Sequence, residues 1–101
     1  MPSELTKQQI QIVYASEADI LNMSLFGLTA KEWRVRNSQN KGNIRDEATL
    51  EQLVVLSNLE SINSVLIHQG LSQSERLLQL NHIAITQMKS LIDNNVIKRL
   101  E

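Results

Sequence analysis

From Leu50 to Gln69 the chain runs without a proline or a glycine, and its apolar residues fall on two opposite sides of one helix. Val55, Leu59, Ile62 and Leu66 make one heptad-spaced stripe. Leu50, Leu53, Val54 and Val65 make a second, interleaved with Ser57, Ser61 and Ser64. A helix that is apolar on two sides is buried on two sides. This pattern therefore predicts a central helix over 49–69, covered on its second side by the chain's short helices or by a second copy of the chain.

After the short Gly70-Leu71 link, Leu77, Leu80, Ala84, Ile85, Met88, Leu91, Ile92 and Val96 share one arc of a helix over 73–98, taking ~100° per residue. Gln79, Thr86, Lys89, Ser90 and Asp93 lie opposite. A helix with one dry face returns antiparallel across so short a link and packs on its predecessor. Upstream, helix starts recur. Ser16 and Asp19 stand at cap spacing, and Thr29/Glu32, Thr49/Gln52 and Ser72/Glu75 each match the capping box, in which cap and third side chains satisfy orphan amides reciprocally. Leu28 and Trp33 occupy the staple positions around Thr29, while Gly27 and Gly70 supply stops. Helices are thus expected over 17–26, 30–37, 49–69 and 73–98, with a loop at 38–47 turning at 40–43. Ile10, Ile12 and Tyr14 alternate as in a short strand, yet the chain offers no second strand, so residues 1–15 are expected as an extended arm. The fold class is all-α: an antiparallel pair of long helices, two short N-terminal helices and that arm, with 16–101 as the helical domain.

Composition narrows the chemistry. A chain of 101 residues makes one small domain with a modest core, which assembly can reinforce. The net charge of −1 gives no global electrostatic case for DNA or anionic membranes. No signal peptide and no run of 18 apolar residues is present, so a cytoplasmic protein with no membrane partner is expected. Without cysteine there is neither a disulfide framework nor a thiolate metal site. His68 and His82 lack the spacings of a zinc helix. Glu60, Ser64 and His68 recur every four residues on one face, but nothing supplies an orienting group or an oxyanion donor. No phosphate loop appears. The chain is accordingly expected to be no enzyme, with no cofactor and no metal. Gly70-Leu71-Ser72-Gln73 between two helices invites a helix-turn-helix reading, against which the following helix is long and begins acidic. Asn81 lies inside the dry arc, either fixing the register of an interface or bonded at its edge.

The stretch 31–45 holds five of the ten basic residues and the only tryptophan. Glu32 and Arg36 stand in the favourable i, i+4 order, and Asp46 and Glu47 follow Arg45, leaving Lys31, Arg34, Lys41 and Arg45 as the surplus. Four phosphate contacts would give a modest, salt-sensitive affinity. A solvated helix end, a contact to a partner protein and a contact to nucleic acid all remain open readings for these four residues.

The runs Tyr14-Ala-Ser-Glu-Ala-Asp-Ile-Leu-Asn22, Leu25-Phe-Gly-Leu-Thr-Ala-Lys-Glu-Trp-Arg34, Lys41-Gly-Asn-Ile-Arg-Asp46, Ala48-Thr-Leu-Glu-Gln-Leu-Val-Val-Leu-Ser-Asn-Leu-Glu60 and Gln69-Gly-Leu-Ser-Gln-Ser-Glu-Arg-Leu77, continuing to Gln87-Met-Lys89, resemble the region that follows the DNA-binding module in bacterial and phage KilA-N domain proteins. The resemblance spans about residues 2–92. It implies a DNA-associated, phage-related setting in which DNA is held mainly by an N-terminal module, related to fungal APSES-type regulators, that is absent from these residues. It carries no catalytic or DNA-contacting residue onto this chain. The expected function is a non-enzymatic interaction or oligomerisation domain, a homo-oligomer with a dimer favoured, self-associating through Val54, Ser57, Ser61 and Val65. Direct nucleic-acid binding through residues 31–45 and phage-encoded inhibition of a host protein are the alternatives.

Overall fold

The computed structural model describes residues 2–39 and 42–94. Among them the chain is all-helical, in the order α1 Lys7–Gln11, α2 Glu17–Phe26, α3 Ala30–Arg36, α4 Leu50–His68 and α5 Gln73–Asn94. The four longer elements begin where the cap signals predict. The Ser16 side chain accepts the Asp19 N–H, and Thr29 and Thr49 close full capping boxes with Glu32 and Gln52. At α5, Ser72 accepts the Glu75 N–H at 3.3 Å, and its own hydroxyl donates to the Glu75 carboxylate. Gly27 stops α2 at φ 72°, a left-handed conformation that costs glycine little, and returns its N–H to the Met23 carbonyl. The expected end of α5 beyond 94, with Val96, and the turn residues Asn40 and Lys41 lie outside the described residues.

The N-terminal segment departs from the expected extended strand. Thr6 and Gln9 form a capping box, Gln9 N–H to Thr6 Oγ1 at 3.1 Å and Thr6 N–H to Gln9 Oε1 at 2.8 Å, and residues 7–11 turn helical. The chain is extended again at Ile12. Local capping wins because a lone strand has no ladder to join, whereas a capped turn satisfies its own amides at once.

The middle of the molecule is α5 rather than α4. Helices α1, α2 and α4 all pack on α5, and α2 also packs on α4. Ile20, Val55, Leu59, Leu77, Leu80 and Ala84 are wholly buried in the shared core, which Met23, Leu25, Leu56 and Met88 extend. Each large aliphatic side chain there contributes about 1.5–3 kcal/mol of burial. In α2 six consecutive residues, Ile20 to Leu25, are buried. That helix is enclosed on every side, which is why its sequence shows no polar face. Trp33 and Ile44 are buried as well, outside the central cluster. Along the α4–α5 contact, Asn58 Nδ2 donates to Gln87 Oε1 at 3.1 Å and Arg76 Nη1 donates to Asn63 Oδ1 at 3.0 Å. Partners on α5 therefore descend in number as those on α4 ascend.

Two polar devices lock the helices to one another. Arg76, whose side chain is 8 % exposed, reaches from α5 to both carboxylate oxygens of Glu17 on α2. Its Nε donates to the Leu71 carbonyl at 3.2 Å, and Asn63 Nδ2 donates to the same Glu17 at 2.8 Å. Helices α2, α4 and α5 thus meet in one charged knot. The second device straps the arm to α5 with two side-chain amides. Asn81 accepts the Leu5 N–H at 3.1 Å and donates to the Ser3 carbonyl at 3.0 Å and to the Ser24 carbonyl at 3.0 Å. Eight residues earlier, Gln73 accepts the Tyr14 N–H and donates to the Tyr14 carbonyl, both at 3.0 Å. Asn81 therefore spends both ends of its amide on its own chain.

Candidate interaction surfaces

With the inner stripe of α4 filled, its second stripe is left open. Leu50 is 63 % exposed, Leu53 40 %, Val54 43 % and Val65 55 %. Ser57, Ser61 and Ser64 run between them, all exposed. Among the described residues no short helix covers this side, because α2 sits inside with α5. An apolar row of this length, broken only by small hydroxyls, is the main unfilled surface that the α4 pattern predicts. Its charge is low. Residues 50–68 contain Glu51 and Glu60 and no lysine or arginine, and Glu60 is paired with Arg45 Nη2 at 3.1 Å.

The basic stretch is differently composed from its sequence expectation. Arg45 is engaged by Glu60 rather than standing beside its neighbouring acids. Asp46 instead tightens the loop, accepting the Asn43 N–H at 3.0 Å, while Asn43 Oδ1 accepts from Arg45 and Asp46. Glu32, expected to pair with Arg36, is occupied by the Thr29 N–H at 2.9 Å. A carboxylate drawn back to its own helix start does not reach a residue one turn onward, so Lys31, Arg34 and Arg36 are the exposed cations of α3 that make no ion pair among the described residues. Lys41 lies outside the described residues. Trp33 is 7 % exposed, so its ring is seated in the fold and not offered to solvent. Burial and then the negative charges of Glu32 and Asp19 push the Tyr14 hydroxyl above its ordinary value of 10.0, so α3 and α2 both present acids toward the arm.

His68 Nδ1 lies 2.7 Å from the Ser64 carbonyl, and Glu60 faces Arg45, so the four-residue series Glu60, Ser64, His68 forms no relay. Among the described residues no trio of His, Cys, Asp or Glu is placed to hold a metal, and no helix is long and apolar enough to cross a membrane. Among the described residues, one open groove of about 290 Å³ runs along residues 10–13 and 72–74, and another of about 150 Å³ lies between Val54, Asn58, Gln87, Ser90 and Leu91. Both fall below the range of roughly 300–1,000 Å³ in which small-molecule sites are built. The second borders the open stripe of α4 at Val54.

Sequence reading missed Arg36 as a free cation and the whole Glu17–Asn63–Arg76 knot. The first was legible, since Glu32 had been given two incompatible duties. The second was not, because residues 46 and 13 positions apart announce no partnership along the chain. Compared with models of known families, with curated proteins and with solved structures, the chain finds no match.

Proposed function

We propose that the chain is a non-enzymatic interaction domain that self-associates as a dimer through the outer face of α4. The observation that carries this reading is the row Leu50, Leu53, Val54 and Val65, open to solvent on a helix whose opposite side packs into the core. In the free chain that row costs hydration free energy, and a second copy is the covering surface always present at the chain's own concentration. The domain is read as an antiparallel helical hairpin of α4 and α5 carrying α2, α3 and the arm. The order of the Asn58–Gln87 and Asn63–Arg76 bonds supports that direction. The setting is that of a DNA-associated, phage-related protein, a reading supported only by the quoted motifs that resemble the region following the module of KilA-N proteins. Sedimentation across the micromolar range tests the association. The unmodified chain is expected to show a concentration-dependent dimer, and Val54→Glu to weaken it at least about tenfold, about 1.4 kcal/mol. Val54 is half exposed and helical, so the change leaves the core untouched. A well-folded monomer throughout that range would refute the reading.

A second reading is favoured by one observation, the release of Arg36 from Glu32. Lys31, Arg34 and Arg36 then offer three cations on one short helix to a nucleic-acid backbone. Retention on DNA is expected to be weak at low salt, to fall with log salt at a slope near −0.9 per phosphate contact, and to vanish in Lys31→Glu/Arg34→Glu. Retention unchanged in that variant would exclude α3 as the contact.

A further inference from the structure

We infer that two copies of α4 pair antiparallel about a two-fold axis passing beside Leu59, with Ser57 of each copy against Ser61 of the other. This deepens the self-association reading above and rests on it. The exposed positions 50, 53, 54, 57, 61, 64, 65 and 68 share one side of the helix, at ~100° per residue, and they fall in pairs equally distant from Leu59. Ser57 mirrors Ser61, Leu53 mirrors Val65, Val54 mirrors Ser64 and Leu50 mirrors His68. A two-fold contact is isologous: each residue of a pair meets its mate twice. Here the smallest side chains meet at the crossing, where helix axes come within about 8–10 Å. Leu53 against Val65 seals the flank, and Val54 enters the space over Ser64.

Charge selects this direction over the parallel one. The first turn of α4 carries Glu51 and the last carries His68. Antiparallel pairing sets the acidic, positively polarised helix start of each copy beside the His68 end of the other, which favours both the side chains and the helix dipoles. Parallel pairing would stack Glu51 on Glu51 and align like dipole ends. Glu60 does not oppose the contact, because Arg45 of its own chain neutralises it. The occupant is accordingly a second copy and not a basic or acidic partner, since the face between Glu51 and His68 offers no unpaired charge to match. One helix per copy buries less than the roughly 1,200 Å² below which interfaces are weak and reversible. The dimer is therefore expected at micromolar concentration and not as an obligate pair.

The chain contains no cysteine, so engineered thiols report the register without background. Ser57→Cys and Ser61→Cys place thiols where opposed Cβ atoms approach disulfide distance, about 3.5–4.5 Å. Under mild oxidation, a mixture of the two variants is expected to convert mostly to disulfide-linked dimer, while each variant alone stays largely uncross-linked. Strong cross-linking of each variant alone would establish a parallel register and overturn the inference. A dimer by sedimentation that cross-links in neither format would overturn it too, by placing the contact elsewhere. A chain that sediments as a monomer in all samples instead overturns the self-association reading beneath it. Both serines are exposed, and the same samples checked by circular dichroism confirm that each variant is folded.

Discussion

Replacing Glu17 with alanine is expected to cost about 3 kcal/mol of stability, read as a fall in the thermal midpoint of about 10–20 °C. Arg76 is the reason. Its guanidinium is 8 % exposed and takes its counter-charge from Glu17 alone among the described residues. Removing the partner of a buried charge typically costs about 3–5 kcal/mol. The lower end applies here, because the Glu17 side chain is itself 46 % exposed and the hydrogen bonds of Arg76 to Asn63 and Leu71 remain. Against a total of roughly 5–15 kcal/mol for a domain, the loss is large. The double variant Glu17→Ala/Arg76→Met is expected to recover part of it, since an apolar side chain of similar reach in place of the ion removes the uncompensated charge. Equal stability of Glu17→Ala and the unmodified chain in urea unfolding would show that water, not Glu17, satisfies Arg76.

The same pair predicts an acid response of fixed sign. Hydrogen bonding from Arg76 holds the Glu17 carboxyl below its ordinary value of 4.5, aided by the bond from Asn63 and the Arg76 charge, while burial pushes the other way. A carboxyl with a lowered folded-state value stabilises the fold fully above its unfolded value, and the contribution is lost as pH falls through the folded one. Stability should therefore be level through neutrality, decline below about pH 4.5, and decline less steeply in Glu17→Ala than in the unmodified chain.

Much of the architecture follows from short-range signals that a sequence exposes. Cap residues act within three positions, so the starts at Ser16, Thr29, Thr49 and Ser72 were readable, and so was the two-sided pattern of α4. Thr6 and Gln9 carried the same signal as the other boxes. It was overlooked in favour of the alternation at Ile10, Ile12 and Tyr14, a pattern that means little without a strand to pair. What periodicity does not encode is which of two apolar faces a small chain can cover with its own residues. The face of α4 toward α5 is filled and the other is not, a choice made by α2, whose six buried residues in a row claim the space beside α5. The candidate surface was legible as a set of residues, Val54, Ser57, Ser61 and Val65. Its isolation from the rest of the fold was not. The basic patch was legible only as composition, because the partners of Glu32 and Arg45 are settled by competition between a cap, a loop and Glu60.

Asn81→Leu is expected to destabilise the domain by about 2–3 kcal/mol and to free the arm. The substitution nearly conserves volume at a position 1 % exposed, so packing changes little and the polar ledger decides. It strips partners from the Leu5 N–H and from the Ser3 and Ser24 carbonyls, and each buried group left unpaired costs about 1–3 kcal/mol. The sum does not reach three full penalties. Leu5 and Ser3 belong to a terminal segment that can lift into water, where their amides are satisfied, and the loss then becomes the docking free energy of that segment. The Ser24 carbonyl, enclosed with α2, has no such escape. Hydrogen exchange separates the two parts: protection at Leu5 should disappear in Asn81→Leu while protection within α4 falls only by the global loss. Gln73→Ala, which removes the clamp on Tyr14 at a half-buried site, should have the smaller effect, about 1 kcal/mol, because Tyr14 stays seated in the core with its hydroxyl donating to the Gln9 carbonyl at 2.6 Å. If Asn81→Leu kept Leu5 protected, the apolar contacts of Leu5 and Ile10 with the core would be holding the arm, and the amide strap would serve Ser24 alone.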